Sequence, residues 1–147
     1  SPFGKVVSQR ANNGGGLLTW VLSVPSIATF EKRLGRESVD GHRRRPDGSD
    51  LNWKQIGVLG TLEDRQLPFF IEWLSDDHPS KEAKAVAKIE KLEIAGDPDR
   101  VREWIGEDFE SAFAGITLEW VDPAENDGET GIFAVHFSTP NGTFRLD

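Results

Sequence analysis

The sequence predicts an α+β fold built from two βαβββ modules whose sheets are mostly antiparallel. Three observations predict it. Short apolar runs, several with two-residue alternation, at 17–24, 51–58, 67–74, 89–95, 116–121, 132–137 and 143–146 read as strands. Two segments, about 27–35 and 98–106, carry apolar residues three and four apart and end at glycines, which reads as two helices. The halves also superimpose in order: Leu18 falls on Ile89, Ser26 on Asp97, Phe30 on Val101, Leu34 on Ile105 and Gly35 on Gly106, all at one constant offset. A single unit of this size would be marginal alone, and two together bury more of the chain.

The elements follow in order. Residues 1–16 are polar and end in Asn12-Asn13-Gly14-Gly15-Gly16, a lead-in or linker that breaks at the glycines. The first module is expected over 17–75. After its first strand, Pro25 stops the extended run and Ser26 is placed to cap a helix on the face of Ile27, Phe30 and Leu34. A polar stretch then leads to Arg45-Pro46-Asp47-Gly48, where Pro fixes φ and Gly accepts positive φ, as a turn requires. Strand 51–58 puts Leu51, Trp53 and Gln55 on one face, a loop is expected at 59–66, and Leu67-Pro68-Phe69-Phe70-Ile71-Glu72-Trp73-Leu74 is the strongest strand signal in the chain. A charged connector at 76–87, with one or two helical turns, joins the second module at 88–147. There Asp97-Pro98 pairs an N-cap with proline at the first helical position, and Thr139-Pro140-Asn141-Gly142 makes the last hairpin.

Composition bounds the function. With 147 residues, five Trp, nine Phe and a mean hydropathy of −0.45, the chain is a globular domain with a real core. It has no cysteine, which removes disulfides, thiolate zinc sites and a cysteine nucleophile, and fits a reducing, cytoplasmic setting. No apolar run is long enough to span a membrane, and the start is not a signal peptide. A net charge of −8 repels phosphates, so nucleic acid is not an expected partner. The sequence carries no nucleophile elbow, P-loop or dinucleotide fingerprint.

Several motifs together resemble a known family. Gly16-Leu17-Leu18-Thr19-Trp20-Val21, Arg44-Arg45-Pro46-Asp47-Gly48 with Leu51-Asn52-Trp53, the run from Leu67 to Trp73 with His78-Pro79, and Ser138-Thr139-Pro140-Asn141-Gly142 are similar to the glyoxalase-like family of the vicinal-oxygen-chelate superfamily. The resemblance covers nearly the whole chain from Gly14. It implies curved sheets enclosing a cavity for a small oxygenated molecule, with isomerase, lyase or dioxygenase chemistry on a divalent metal in the complete protein. The alternative is a non-catalytic sequestering module, as in the bleomycin-resistance branch, where aromatic side chains do the binding. The resemblance also implies a further module upstream with a His on its first strand, so that this chain, which begins with Ser1, would be a piece of a longer protein. A homodimer is compatible with it.

The ligand positions that the resemblance implies fall on Thr19, Glu72, near Ile89, and on Arg145. One carboxylate among four does not make a metal site, so no metal or cofactor is expected in this chain itself. Glu72 is the candidate catalytic residue, because it interrupts Phe69, Phe70, Ile71 and Trp73, and a carboxylate so placed needs a cationic or donor partner. Arg44 and Arg45 could supply the cation and, as guanidinium groups, suit a carboxylate ligand; with Trp20 and Trp53 they are the candidate substrate-binding residues. His42, His78 and His136 are isolated in sequence and carry no ligand spacing.

Overall fold

The computed structural model describes residues 1–76, 78, 81 and 86–147. Most of the connector expected at 76–87 lies outside the described residues. Contacts divide the chain into two compact units. One comprises Val21–Val58 and the chain that follows from Phe69; the other comprises Ser1–Trp20, Leu59–Pro68 and Val86–Asp147.

The unit that begins at Val21 holds a four-stranded sheet in the order β1-β4-β3-β2, from β1 (Val21–Ser23), β2 (Val39–Arg44), β3 (Asp50–Ile56) and β4 (Phe69–Trp73). β1 runs parallel to β4, and the other two pairs are antiparallel. The first strand is only three residues long, against the eight expected at 17–24. The polar stretch before the turn is itself a strand, β2. Two-residue alternation sorts the side chains. Leu51, Trp53, Gln55, Ile71 and Trp73 share one face; Asp40, His42, Asn52, Lys54, Phe70 and Glu72 share the other. A helix at Ala28–Leu34 covers the second face, with the Phe30 and Phe70 rings 4.1 Å apart. It ends, as expected, at Gly35 in the left-handed region (φ 62°).

The other unit opens with a helix at Pro2–Asn12, where a lead-in was expected; Ser1 caps it, its Oγ accepting from the Gly4 amide at 3.1 Å. Val58–Glu63, expected as the last residue of a strand and the start of a loop at 59–66, is a short helix. In chain order the helices among the described residues are therefore α1 (Pro2–Asn12), α2 (Ala28–Leu34), α3 (Val58–Glu63), α4 (Pro98–Ile105) and α5 (Phe109–Ala112). The sheet comprises β5 (Lys88–Ala95), β6 (Thr117–Val121), β7 (Gly131–Thr139) and β8 (Gly142–Leu146). The chain order is again strand, helices, three strands, yet the strand order is β6-β5-β7-β8. Its leading strand lies inside the sheet, parallel to β6 and antiparallel to β7. α4, α5 and the 3-10 turn at Gly106–Asp108 make the long crossover that a parallel neighbour requires.

The predicted cap of α4 is in place: Asp97 Oδ1 accepts from the Asp99 amide at 2.9 Å, with Pro98 in the first turn and Val101 and Ile105 fully buried. Trp104 donates from Nε1 to the Pro68 carbonyl at 2.7 Å, and its ring lies over Gly60, where a Cβ would come within 2.8 Å of it. Gln66, 7% exposed, accepts from the Asp97 amide and donates to Asp64, so that no polar end of this buried side chain is wasted. No helix among the described residues is long and apolar enough to cross a membrane.

Candidate functional site

Glu72 is half-buried on β4, on the face that α2 covers. Its Oε2 accepts a 2.8 Å hydrogen bond from the amide of Ile27, the residue that precedes α2. Ser26 makes no side-chain cap there. The carboxylate of a strand residue thus satisfies the amide of the residue before α2 and places negative charge at the positive end of the helix. Across the sheet Glu72 pairs in register with Lys54, and Lys54 with Asp40, forming one row of alternating charge over β4, β3 and β2. Lys54, rather than Arg44 or Arg45, is therefore the cation beside Glu72. Its Nζ lies 2.8 Å from Asp40 Oδ1; this hydrogen bond and the charge of Asp40 hold the ammonium above its ordinary pKa.

The four other candidates separate. Trp53 is on β3, its indole over Gly41 of β2, with no room for a Cβ there: one would sit 2.1 Å from Trp53 Cε2 and Nε1. Its Nε1 donates to Gln55 at 3.0 Å, its ring centroid is 5.6 Å from that of Trp73, and Trp73 meets His78 edge-on. Arg44 ends β2 opposite Asp50, on the other face of the sheet from the Trp53 indole. Arg45 belongs to the turn, its amide bonded to the Ser49 carbonyl at 2.8 Å. Trp20 belongs to the other compact unit, where it donates to the Gln66 carbonyl and lies 5.7 Å from Phe113.

A cavity of about 370 Å³ opens on the first sheet, lined by Asp40, Gly41 and His42 of β2, Asn52, Trp53 and Lys54 of β3, and Leu74 just past β4. Five of these residues, Asp40, His42, Asn52, Lys54 and Leu74, fall by alternation on the Glu72 face; Leu74 is held there by its amide, which donates to the Asn52 carbonyl at 2.9 Å. Beside it, and sharing Asp40 and Lys54, a wider and more open groove of about 580 Å³ runs along α2 past Glu31, Arg36 and Ser38. The smaller cavity sets an ammonium, an amide and an imidazole beside one carboxylate, a donor-rich lining.

The second sheet carries a polar cluster that sequence reading did not assemble. Glu93 Oε2 accepts from His136 Nε2 at 2.6 Å and from Arg145 Nε at 2.7 Å, bringing β5, β7 and β8 together. The Arg145 and His136 hydrogen bonds hold the Glu93 carboxyl below its ordinary value. Arg145 also bonds Asp147 at 2.9 Å. Only the spacing of three strands in the folded sheet reveals this cluster; Glu93 had no sequence signal.

The positions implied for metal ligands do not form a donor set. The Thr19 hydroxyl is hydrogen-bonded to Thr61, Glu72 is committed to the Ile27 amide, and Arg145 presents a cation. Among the described residues no three His, Asp or Glu side chains gather where they could hold an ion.

The family model described as a glyoxalase-like domain matches residues 1–109. No curated protein and no solved structure matches the chain. The match takes in the whole first sheet with its cavity, β5 and α4, and by it the chain belongs to the glyoxalase-like domain family.

Proposed function

We propose that this chain is a small-molecule binding module whose ligand is a compact oxygenated compound, held in the cavity over β2 and β3. The observation that carries the reading is the lining itself. At about 370 Å³ the cavity lies at the small end of the range for ligand sites. Lys54 and Asn52 donate to a carbonyl or carboxylate oxygen, and Asp40 accepts from a hydroxyl. A 2-hydroxy or 2-oxo acid offers both functions within a few bonds. Leu74 supplies apolar contact, and Trp53 lines the cavity from β3 while its indole stiffens the strand from the opposite face. In this reading Glu72 is a positioning residue: it fixes α2 and balances Lys54. Proton-transfer and metal-assisted steps are not assigned to these residues. The reading is one of binding, which fits the sequestering branch of the superfamily.

Calorimetric titration with lactate, pyruvate and glyoxylate tests it. At least one acid should bind with a defined stoichiometry of one, and Lys54→Met should weaken that binding about tenfold or more, since a charge-assisted hydrogen bond is lost. Equal affinity in the parent and in Lys54→Met would remove the cavity from consideration.

A further inference from the structure

β2 is an edge strand: in the order β1-β4-β3-β2 it is hydrogen-bonded, among the described residues, to β3 alone. All of it is exposed except half-buried Gly41. Such an edge presents a row of unpaired backbone groups, and the structure identifies which ones. Asn52, opposite His42, turns both its backbone groups away from β2: its amide donates to Ser75 Oγ at 2.8 Å and its carbonyl accepts from Leu74 at 2.9 Å. His42–Asn52 is therefore a non-hydrogen-bonded pair, and by alternation the amides and carbonyls of Asp40, His42 and Arg44 point outward from the sheet.

The charges on this strand are unevenly used. His42 bonds Asp50 at 2.9 Å, and Lys54 bonds Asp40. The Arg43 and Arg44 side chains have neither a hydrogen bond nor an ion pair among the described residues.

We propose that two copies of this chain associate through β2, antiparallel, in the register centred on His42. Only registers that set outward-pointing residues opposite one another can form a ladder: Asp40, His42 and Arg44 must face Asp40, His42 and Arg44. The register with His42 opposite His42 overlaps all three, each pair exchanging both its hydrogen bonds. It sets Asp40 of each copy against Arg44 of the other, two opposite charges on the same face. On the reverse face it sets Arg43 against Gly41, the one position where no side chain intervenes and where the Trp53 indole lies flat. The guanidinium can then rest beside that indole as a cation–π partner. Shifting by one hydrogen-bonded step toward Arg44 brings Arg43 against Arg43 and loses the Asp40–Arg44 pair. Charged edges ordinarily keep strands apart; here the charges fit the centred register, and a slip in either direction loses the Asp40–Arg44 pair. The two four-stranded sheets would join into one continuous sheet.

The contact is one strand wide, so association should be weak, with dimer appearing at high micromolar concentration. Sedimentation equilibrium across roughly 10 µM to 1 mM is the test. The parent should show a monomer–dimer equilibrium. Arg44→Asp and Asp40→Arg should each weaken it about tenfold or more, and the double variant Asp40→Arg/Arg44→Asp should restore it. Circular dichroism checks that each variant folds. Should a variant fail to fold, hydrogen exchange on the parent decides: raising the concentration should slow exchange of the Asp40, His42 and Arg44 amides and leave those of Val39, Gly41 and Arg43 unchanged. A monomer at every concentration, a dimer indifferent to Arg44→Asp, or a double variant that stays monomeric would overturn the proposal.

Discussion

Gly41→Ala is the sharpest perturbation of the first sheet. A Cβ at this position would lie 2.1 Å from Trp53 Cε2 and Nε1 and 2.6 Å from Cζ2. Ordinary contact begins at 3.4 Å, so the indole must withdraw by about 1.3 Å, or β2 must lift from β3 by as much. The indole cannot withdraw freely: its Nε1 is bonded to Gln55 at 3.0 Å, and its ring is 5.6 Å from that of Trp73. Overpacking of this kind costs about 1–3 kcal/mol, and loss of the Gln55 bond adds about 1 kcal/mol. The expected loss is about 2–4 kcal/mol, a large share of the stability of a small domain. Urea unfolding followed by far-ultraviolet circular dichroism measures it, and the double variant Gly41→Ala/Trp53→Ala provides the control. With the indole gone, the added methyl should cost less than about 0.5 kcal/mol beyond Trp53→Ala alone. Equal stability of Gly41→Ala and the parent, or an undiminished penalty in the Trp53→Ala background, would refute the packing argument.

Three further outcomes are expected. Glu72→Ala should destabilise by about 1 kcal/mol, the value of a lost helix cap, and Glu72→Gln by less, because its amide oxygen can still accept from Ile27; urea midpoints rank the two. Because Arg145 and His136 depress the Glu93 pKa, that pair of bonds stabilises the fold above the ordinary carboxyl value near 4.5 and is lost as pH falls through the lower folded value; Glu93→Gln should therefore flatten the acid limb of a stability–pH curve while lowering stability at neutral pH. Gly96→Ala places a Cβ 2.4 Å from Gln66 Oε1 and should break its bond to the Asp97 amide, lowering the thermal midpoint; a midpoint equal to the parent's would contradict the buried role of Gln66.

What could be read from the sequence were the features written in local chemistry. Phe69, Phe70 and Ile71 announce a strand, Asp97-Pro98 a helix start, Gly35 a helix end and Thr139-Pro140-Asn141-Gly142 the β7–β8 hairpin, because each depends on residues a few positions apart. β2 gave no such signal: an edge strand exposes both faces, so Asp40, His42 and Arg44 need no apolar alternation. α3 was hidden by Gly57 and Gly60, the latter present because Trp104 packs on it. Ser26 looks like a cap, yet the carboxylate that meets the start of α2, Glu72, comes from a strand distant in sequence. Glu72 interrupts an apolar run, which marks it in the sequence; its face turns toward α2, and its partners there are the Ile27 amide and the Lys54 row. The exchange of strand order between the two sheets is likewise a property of the crossover after α4, which a pattern of apolar residues does not encode.

The central claim is that the cavity over β2 and β3 binds a small oxygenated acid. The most direct measurement is a two-dimensional amide spectrum of the 15N-labelled chain titrated with lactate, pyruvate and glyoxylate in turn. The account predicts saturable shifts concentrated at residues 40–42, 52–54 and 74, carried by a single binding curve and much reduced in Lys54→Met. Shifts centred instead on Glu93, His136 and Arg145, or no saturable shift with any of the three acids, would contradict it.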